Sequence, residues 1–592
     1  MSIILKTIFI SELVLAFAMV LGIVPQEFSY LILILLSVSF VKMSMLDSLK
    51  LFILSIPFFV ALPPNAISDS MSIWRVLIVI LFCKFIWEKH KNCHSELISE
   101  SVSDKNLIHF KLLRQNIKEI INIGDYKKKI LKQVRGDKTK YQSFGIIKSV
   151  IKNKLFLYTV IFFTIAIISL LYAPSFGMGV KKILFLGNII LLFPVIRFAI
   201  KEEENFVQIL QYIFYTSFIV VLIGYFQFIS TFFVPLYTFW QFWAGNVIQA
   251  LYGQNLSDLL SFSNTWFSYY RNLPPTLRMF SVMPDSHSFA LFVVVSIPVL
   301  LALLFFYKNG RKRFLSLVLI FFFMAISFSG SRGAWVGSIF ALFSAVLLAH
   351  PSILSSLHFQ NRNLKKFRLK YLKNKLINNE SYFLKILRNI KHKKNSNNFI
   401  ITPVLLFLFL MPISFLFLSK NQQAQSYMSG QGISIEKSDI FERAKSISDF
   451  SEISNKGRFQ IWNETLVFVR KHPFSGAGFG NFPSVLGENF ANAKRGSSAH
   501  NIYLDILAEL GIFGLVIFLL IIFEILKKAY SLYFRIEKKY LKIFVGSFFV
   551  YFSWMFGYGL FDVVLFNDKV LIFVVIMTSL LYCIENEKKW NL

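Results

Sequence analysis

Long apolar runs separated by short polar stretches make up most of this sequence. A helix needs about 20 mostly apolar residues to cross a bilayer, and runs near that length follow one another along the chain. They lie near residues 4–24, 28–42, 48–62, 72–87, 155–172, 180–199, 206–233, 286–307, 314–330, 334–349, 399–419, 500–526, 541–560 and 565–584. The pattern predicts an all-α, polytopic transmembrane protein of about 12–14 spans, a range that reflects how short the first three runs are.

Charge changes this picture by giving the spans a direction. The chain has 592 residues, 55% of them hydrophobic, and a net charge of +31. Residues 88–154 hold 16 Lys/Arg against 7 Asp/Glu, residues 350–398 hold 12 against 1, and the motif KNGRKR occupies 308–313. Basic loops face the cytoplasm, so an N-terminus inside places all three there together. Contact with anionic lipid explains this charge better than binding of nucleic acid, which we do not expect.

The same topology divides the chain into six parts and leaves two large loops outside. The outer loops are the aromatic 234–285, suited to the lipid interface, and 420–498, in which SIEKSDIFERAKSISDFSEI predicts a short amphipathic helix. The predicted parts are N-terminal spans 1–87, a basic loop 88–154, spans 155–349, a basic loop 350–398, spans 399–526 around the outer loop 420–498, and C-terminal spans with a tail 527–592.

The stretch SSAHNIYLDILAELGIFG, residues 497–514, places an ionisable ring where a span begins. A helix starting near Ser498, capped by Ser497 or Ser498, would put His500, Gly511 and Gly514 on one face. The positive end of that helix would hold the imidazole neutral, as a general base requires. A histidine that merely lies beside a glycine packing face is the alternative.

Two arginines begin predicted outer helices. Arg332 stands in SFSGSRGAWVG, residues 327–337, where helix-start N–H groups and a guanidinium could bind phosphate together. Arg458 opens GRFQIWNETLVFVRKHPFSGAGFGNF, residues 457–482, whose glycines could expose N–H groups to an anion. The alternatives are an arginine that reaches lipid headgroups and a plain re-entry loop.

Three motifs occur in this order: SxSRGAxxG, GRxxxW with a following Gly-rich turn, and HN-x9-G-x2-G. Together they resemble the bacterial O-antigen ligase family, which includes O-antigen polymerases and protein O-glycan transferases. The resemblance covers roughly residues 320–520. It implies a GT-C-like, metal-independent, inverting glycosyltransferase in which Arg332 and Arg458 hold the donor diphosphate and His500 is the base. Asn501, Gly511 and Gly514 complete the histidine motif as supporting residues.

An upstream segment, RMFSVMPDSHSFA at residues 278–290, also resembles the family, although Pro284-Asp285 stands where Pro-Asn is usual. The roles of Arg278 and Asp285 therefore stay open. Asp285 and His287 are competing bases, since both stand at an outer helix start.

The resemblance also implies the partners. The donor is an undecaprenyl-diphosphate-linked glycan, the acceptor lipid A–core or a second lipid-linked glycan, and the site faces the periplasm from the bacterial inner membrane. We expect no cofactor and no metal, because the outer loops contain no Asp-x-Asp or Glu-x-Asp pair. A ligase is preferred; a polymerase and a protein O-oligosaccharyltransferase are the alternatives. A transporter or flippase fits less well, because the unusual residues stand at the outer edge rather than at mid-membrane.

Overall fold

The structure is a computed structural model that describes residues 3–63, 71–91, 153–261, 266–270, 273–349, 398–418, 453–487 and 498–585. Its N-terminal part consists of apolar helices joined mostly by short turns. These are α1 (Ile3–Val20), α2 (Ser29–Lys42), α3 (Met45–Ser55), α4 (74–91), α5 (Lys154–Ser169), α6 (Phe176–Ile190), α7 (Leu192–Ala199) and α8 (Glu203–Ser230).

The predicted outer loop after α8 is compact and contains the one sheet of the described chain. It comprises α9 (Leu236–Phe242), a π-helical turn (Trp243–Ile248), α10 (Gln249–Tyr252), α11 (Gln254–Ser261) and the antiparallel hairpin β1 (Phe267–Tyr270) and β2 (Leu273–Leu277). Trp243 and Trp266 are buried here. The indole of Trp266 stacks on Phe280 and donates to the carbonyl of Pro284 at 2.8 Å. These two aromatic residues thus pack inside the protein rather than against lipid.

The C-terminal part consists mostly of long helices. These are α12 (Ser286–Phe306), α13 (Asn309–Phe328), α14 (Arg332–Ala349), α15 (Asn398–Leu418), α16 (Ile453–Lys471), α17 (Ile502–Tyr533), α18 (Lys539–Tyr558) and α19 (Asp568–Ile584). Helices α12 and α18 pack against each other and form the centre, because nearly every side chain of both is buried. A single large apolar core surrounds them.

The predicted all-α polytopic fold is confirmed. Each of the fourteen apolar runs contains a helix, and seven helices of the described chain are both long and apolar enough to cross a membrane. The third run, 48–62, is wrong as a full span. Helix α3 ends at Ser55, the next turn contains Pro57, and Ala61 is extended and pairs with Ser72. The predicted amphipathic helix in 434–453 lies almost wholly outside the described residues.

Contacts between helix termini distinguish two ends of the bundle. At the basic end, Lys538 pairs with Glu203 and Lys528 with Glu585, each at 2.5 Å. At the opposite end, which we call the site end, the indole of Trp74 donates to Asp568 at 3.0 Å. Helix α4 begins at the site end, so it leads toward the basic end and into the Lys-rich sequence that follows it.

Glu12 and Glu509 are among the ionisable groups buried along the spans of the described residues. Glu12 lies midway along α1 with a carboxylate oxygen 2.5 Å from the hydroxyl of Ser55. Glu509, on α17, forms an ion pair with Lys182 of α6 at 2.6 Å. Both carboxylates therefore have partners, as apolar surroundings demand.

Candidate active site

Separate segments bring polar side chains together at the site end. His287 comes from the first turn of α12, Ser331 directly precedes α14, and Tyr558 ends α18. Asp562 follows α18, and His500 stands just before α17. We call these five residues the Asp562 cluster, because the charge of Asp562 acts on His287, His500 and Tyr558.

Three of these residues form a closed hydrogen-bonded triangle. Nδ1 of His287 lies 3.0 Å from Oγ of Ser331 and 3.0 Å from the hydroxyl of Tyr558. The two hydroxyls are 2.7 Å apart. The triangle joins α12, the start of α14 and the end of α18, so it fixes the imidazole of His287 by bonds to two neighbours.

His500 is held differently, in an unusual backbone conformation. Its φ is +49°, and only Ser281 and Asn309 share a positive φ among the described non-glycine residues. Residues other than glycine rarely adopt this conformation unless neighbouring contacts impose it. Its side chain is 46% exposed, so the imidazole is open to a substrate.

The helix start that follows His500 differs from the prediction. Helix α17 begins at Ile502, and its N-cap is Asn501, whose side chain accepts from the N–H groups of Tyr503 and Leu504 at 3.0 and 3.2 Å. Ser498 is therefore not the cap, and Ser497 lies outside the described residues. Asn501 thus has a structural role in the histidine motif, which its amide oxygen explains.

Asp562 is the acidic partner of His500. Nδ1 of His500 lies 3.9 Å from Oδ1 of Asp562, whose side chain is only 10% exposed. Burial alone would raise the pKa of Asp562, but His500 and the charges of His287 and Arg458 together lower it below its usual value. The carboxylate is therefore ionised at neutral pH and can stabilise positive charge on His500.

Arg458 and Arg278 supply positive charge to the same cluster. Arg458 lies near the start of α16, and its charge acts on Asp562, His287 and Tyr558. Arg278, just after β2, acts on His287. Both arginines are half-buried. Of the site residues predicted from the sequence, the structure thus brings together His500, Arg458, His287 and Arg278.

Arg332 is the first residue of α14 and directly follows Ser331 of the cluster. Its side chain is half-buried, and its backbone stands at the helix N-terminus. Arg332 thus stands at a helix N-terminus next to Ser331, and binding of a phosphate there stays a prediction.

Asp285 serves as the N-cap of α12. Its carboxylate accepts from the N–H of Ser288 at 2.7 Å and from the hydroxyl of Ser288 at 2.6 Å. Burial raises the pKa of Asp285 to about 6, although the bonds from Ser288 oppose that shift. The carboxylate is thus committed to the helix end, which favours a structural role over that of a base.

The Gly-rich turn does not offer its N–H groups to an anion. Ala477 and Gly478 donate to the carbonyls of Ala508 and Glu509 of α17 at 2.8 and 2.9 Å, and Gly476 and Phe479 donate to other partners within the protein. The predicted anion cradle is therefore wrong for residues 476–479, and the plain re-entry loop is the better interpretation.

Gly511 explains why this turn meets α17. Its φ is +65°, and the helix kinks there, so the 508 and 509 carbonyls are free to accept from the turn. A Cβ at Gly511 would lie 2.3 Å from the carbonyl oxygen of Phe474. The shared helical face predicted for His500, Gly511 and Gly514 is therefore wrong, because it assumed an unbroken helix that includes His500.

Sequence reasoning missed Asp562, Tyr558 and Ser331. Asp562 stands in GLFDVVLF between the last two apolar runs, and a lone carboxylate in such surroundings is itself a functional signal. Nothing local indicates that Tyr558 and Ser331 contact His287, because they are 271 and 44 residues away from it in the chain.

Within the described residues, no group of three or more His, Cys, Asp or Glu side chains could hold a metal ion.

Comparison with known proteins gives a match over the part of the chain that carries His287, Ser331 and His500 of the Asp562 cluster. Residues 277–519 match the family model described as O-Antigen ligase. Over this stretch the chain is similar to the O-antigen ligase family. The matched stretch includes Arg278, His287, Arg332, Arg458 and His500, whereas Tyr558 and Asp562 lie beyond its end. No curated protein and no solved structure matches the chain.

Proposed function

We propose that this protein is a ligase-type glycosyltransferase that moves a glycan from an undecaprenyl-diphosphate carrier to lipid A–core. The observation that carries the proposal is the meeting of His500, Asp562 and Arg458 at one end of the helical bundle. The match of residues 277–519 to the O-antigen ligase family supports the class of substrate. An exposed imidazole, an ionised carboxylate and a guanidinium can serve as the base, its partner and a ligand of the diphosphate in such a transfer.

In this proposal, His500 is the general base. The acceptor hydroxyl oxygen attacks the anomeric carbon from the face opposite the diphosphate, the bond from that carbon to the phosphate oxygen breaks, and His500 takes the hydroxyl proton. The products are the inverted glycoside and the free carrier diphosphate. Asp562, 3.9 Å from Nδ1 of His500, stabilises the imidazolium formed and leaves Nε2 for the acceptor.

Arg458 and Arg332 then bind the diphosphate and neutralise the charge that develops as it leaves. Guanidinium groups suit this role because they stay charged and bind phosphate oxygens in pairs. Removing one such donor commonly costs about 2.7–4 kcal/mol of transition-state stabilisation, or about 10²–10³ in rate. Arg458→Lys should retain part of the activity that Arg458→Ala loses, since the charge remains while the paired geometry is lost.

We propose further that the site end faces the periplasm of a bacterial inner membrane and that the basic loops 88–154 and 350–398 face the cytoplasm. The separation of the basic end, with Lys528 and Lys538, from the site end supports this arrangement. Single cysteines placed at exposed positions of each end, in a variant without the native cysteines, test it. A membrane-impermeant maleimide on intact cells whose outer membrane has been permeabilised should label only the site end.

A gel of lipopolysaccharide from a deletion strain tests the function. Loss of all transferred glycan from lipid A–core, with polymer retained on its carrier, supports the ligase. A single repeat on every core identifies a polymerase, and glycan lost from protein rather than from lipid A identifies a protein O-oligosaccharyltransferase. An unchanged pattern in all three products would contradict the proposal.

Activity of the purified enzyme in a chelator tests the metal-independent mechanism, because a requirement for Mg²⁺ or Mn²⁺ overturns it.

A further inference from the structure

The residue before His500 is fixed by hydrogen bonds on both sides. The N–H of Ala499 donates to Oδ1 of Asp505 at 2.6 Å, and its carbonyl accepts from the indole Nε1 of Trp462 at 2.7 Å. Ala499 has no exposed surface, and Asp505 is only 4% exposed. Both polar groups of this buried residue therefore depend on these two side chains.

These bonds act directly on the unusual backbone of His500. The carbonyl of Ala499 belongs to the peptide group that also contains the N–H of His500, so the indole holds the plane of that peptide. His500 N–H itself lies 3.3 Å from the hydroxyl of Ser498. Since φ of His500 is +49°, a conformation that needs support from its surroundings, rotation of this peptide would redirect the imidazole.

The indole also ties two functional residues to each other. Trp462 stands four residues after Arg458 on α16, and residues at this spacing lie on the same face of a helix. Trp462, Ile461 and Val469 pack with Ala499 and Leu504 in a small apolar cluster that is separate from the main core. A shift of α16 would therefore move Arg458 and the His500 peptide together.

We propose that Trp462 is a positioning residue, whose bond to Ala499 sets the imidazole of His500 relative to Arg458 and Asp562. This inference rests on the proposed function for its effect on glycan transfer. Its structural part, the orientation of His500, can be measured without any transfer.

Trp462→Phe removes the indole N–H and keeps an aromatic ring. We expect kcat to fall about 10–100-fold, because small misplacement of a reacting group has effects of this size. KM for the lipid-linked donor should change less than about threefold, since the diphosphate-binding arginine remains. Trp462→His should restore much of kcat, because Nε2 of its five-membered ring can occupy the position of the indole nitrogen.

Trp74→Phe is the matched control, since it removes a buried indole bond, to Asp568, at the same end of the bundle. It should lower thermal stability as Trp462→Phe does and leave kcat nearly unchanged. Equal losses of kcat in the two variants, or a kcat of Trp462→Phe within about twofold of wild type, overturn the inference.

The second measurement uses diethyl pyrocarbonate, with the modification of His500 followed by mass spectrometry. Trp462→Phe should change the rate of this modification at neutral pH at least about threefold, while Trp74→Phe should not. Equal rates in all variants overturn the inference, whether or not glycan is transferred. A changed rate in a protein that transfers no glycan leaves the inference standing and rejects the proposed function instead.

Discussion

Two histidine-bearing segments face Asp562, and they are held in opposite ways. His287 is part of a helix, and its Nδ1 lies between two hydroxyls that are themselves in contact. His500 precedes a helix, has a positive φ and leaves almost half of its side chain exposed. The comparison teaches that an ionisable ring near a carboxylate is not by itself a base. The ring must also be accessible to a substrate, as the 46% exposed side chain of His500 is.

The largest expected effect tests this comparison directly. His500→Gln should lower glycan transfer about 10²–10⁴-fold, the usual contribution of a general base. His287→Gln, which can still bond to Ser331 and Tyr558, should lower it less than about tenfold. Transfer by purified variants from a lipid-linked donor measures both, and the reverse order would make His287 the base.

A smaller effect is expected where Asp562 acts through His500. Asp562→Asn should lower kcat about 10–100-fold, because a neutral amide no longer stabilises the imidazolium and orients it less well. Asp568→Asn, at the same end of the bundle and bonded to Trp74, is the control and should have little effect on kcat. Equal kcat values for the two variants would remove Asp562 from the mechanism.

The hydroxyl triangle should matter more for stability than for catalysis. Tyr558→Phe removes the hydroxyl that contacts both His287 and Ser331. The free energy of unfolding should fall by about 0.5–1.5 kcal/mol, the usual net value of such a bond, and transfer should fall less than tenfold. Thermal unfolding of Tyr558→Phe in detergent and its rate of glycan transfer, both compared with wild type, measure these two effects. A loss of transfer as large as that of His500→Gln would place Tyr558 in the chemistry.

The smallest expected effect concerns Asp285. Burial raises the pKa of Asp285 to about 6, so between pH 4 and pH 6 the folded protein binds a proton that the unfolded chain does not. This carboxyl therefore adds stability as the pH falls from 7.5 to 5, and the midpoint of thermal unfolding should rise relative to that of Asp285→Asn. Asp562 does not disturb the comparison, because its lowered pKa keeps it ionised throughout this range. Parallel curves for the two proteins would contradict the raised pKa.

The sequence predicts the helices well because a bilayer imposes length and apolarity on each one. It also predicts the segments that carry His500, Arg458 and Arg332, since those motifs are local. It does not predict Asp562 as the partner of His500, because the proximity of these two residues depends on how α17 and α18 pack. The kink at Gly511 is missed for a related reason, since the spacing of two glycines says nothing about a turn from elsewhere that meets the helix between them.

The kink in α17 also limits how the loop before it can vary. The carbonyls of residues 508 and 509, which have no partner within the kinked helix, accept from the N–H groups of Ala477 and Gly478. The carbonyl of Pro473 accepts from the N–H of Ile512. An insertion between residues 473 and 478 would break this register and leave carbonyls without partners in apolar surroundings, where water cannot replace them. Although this segment is a loop, its length should be as strictly maintained as that of a helix within the main core.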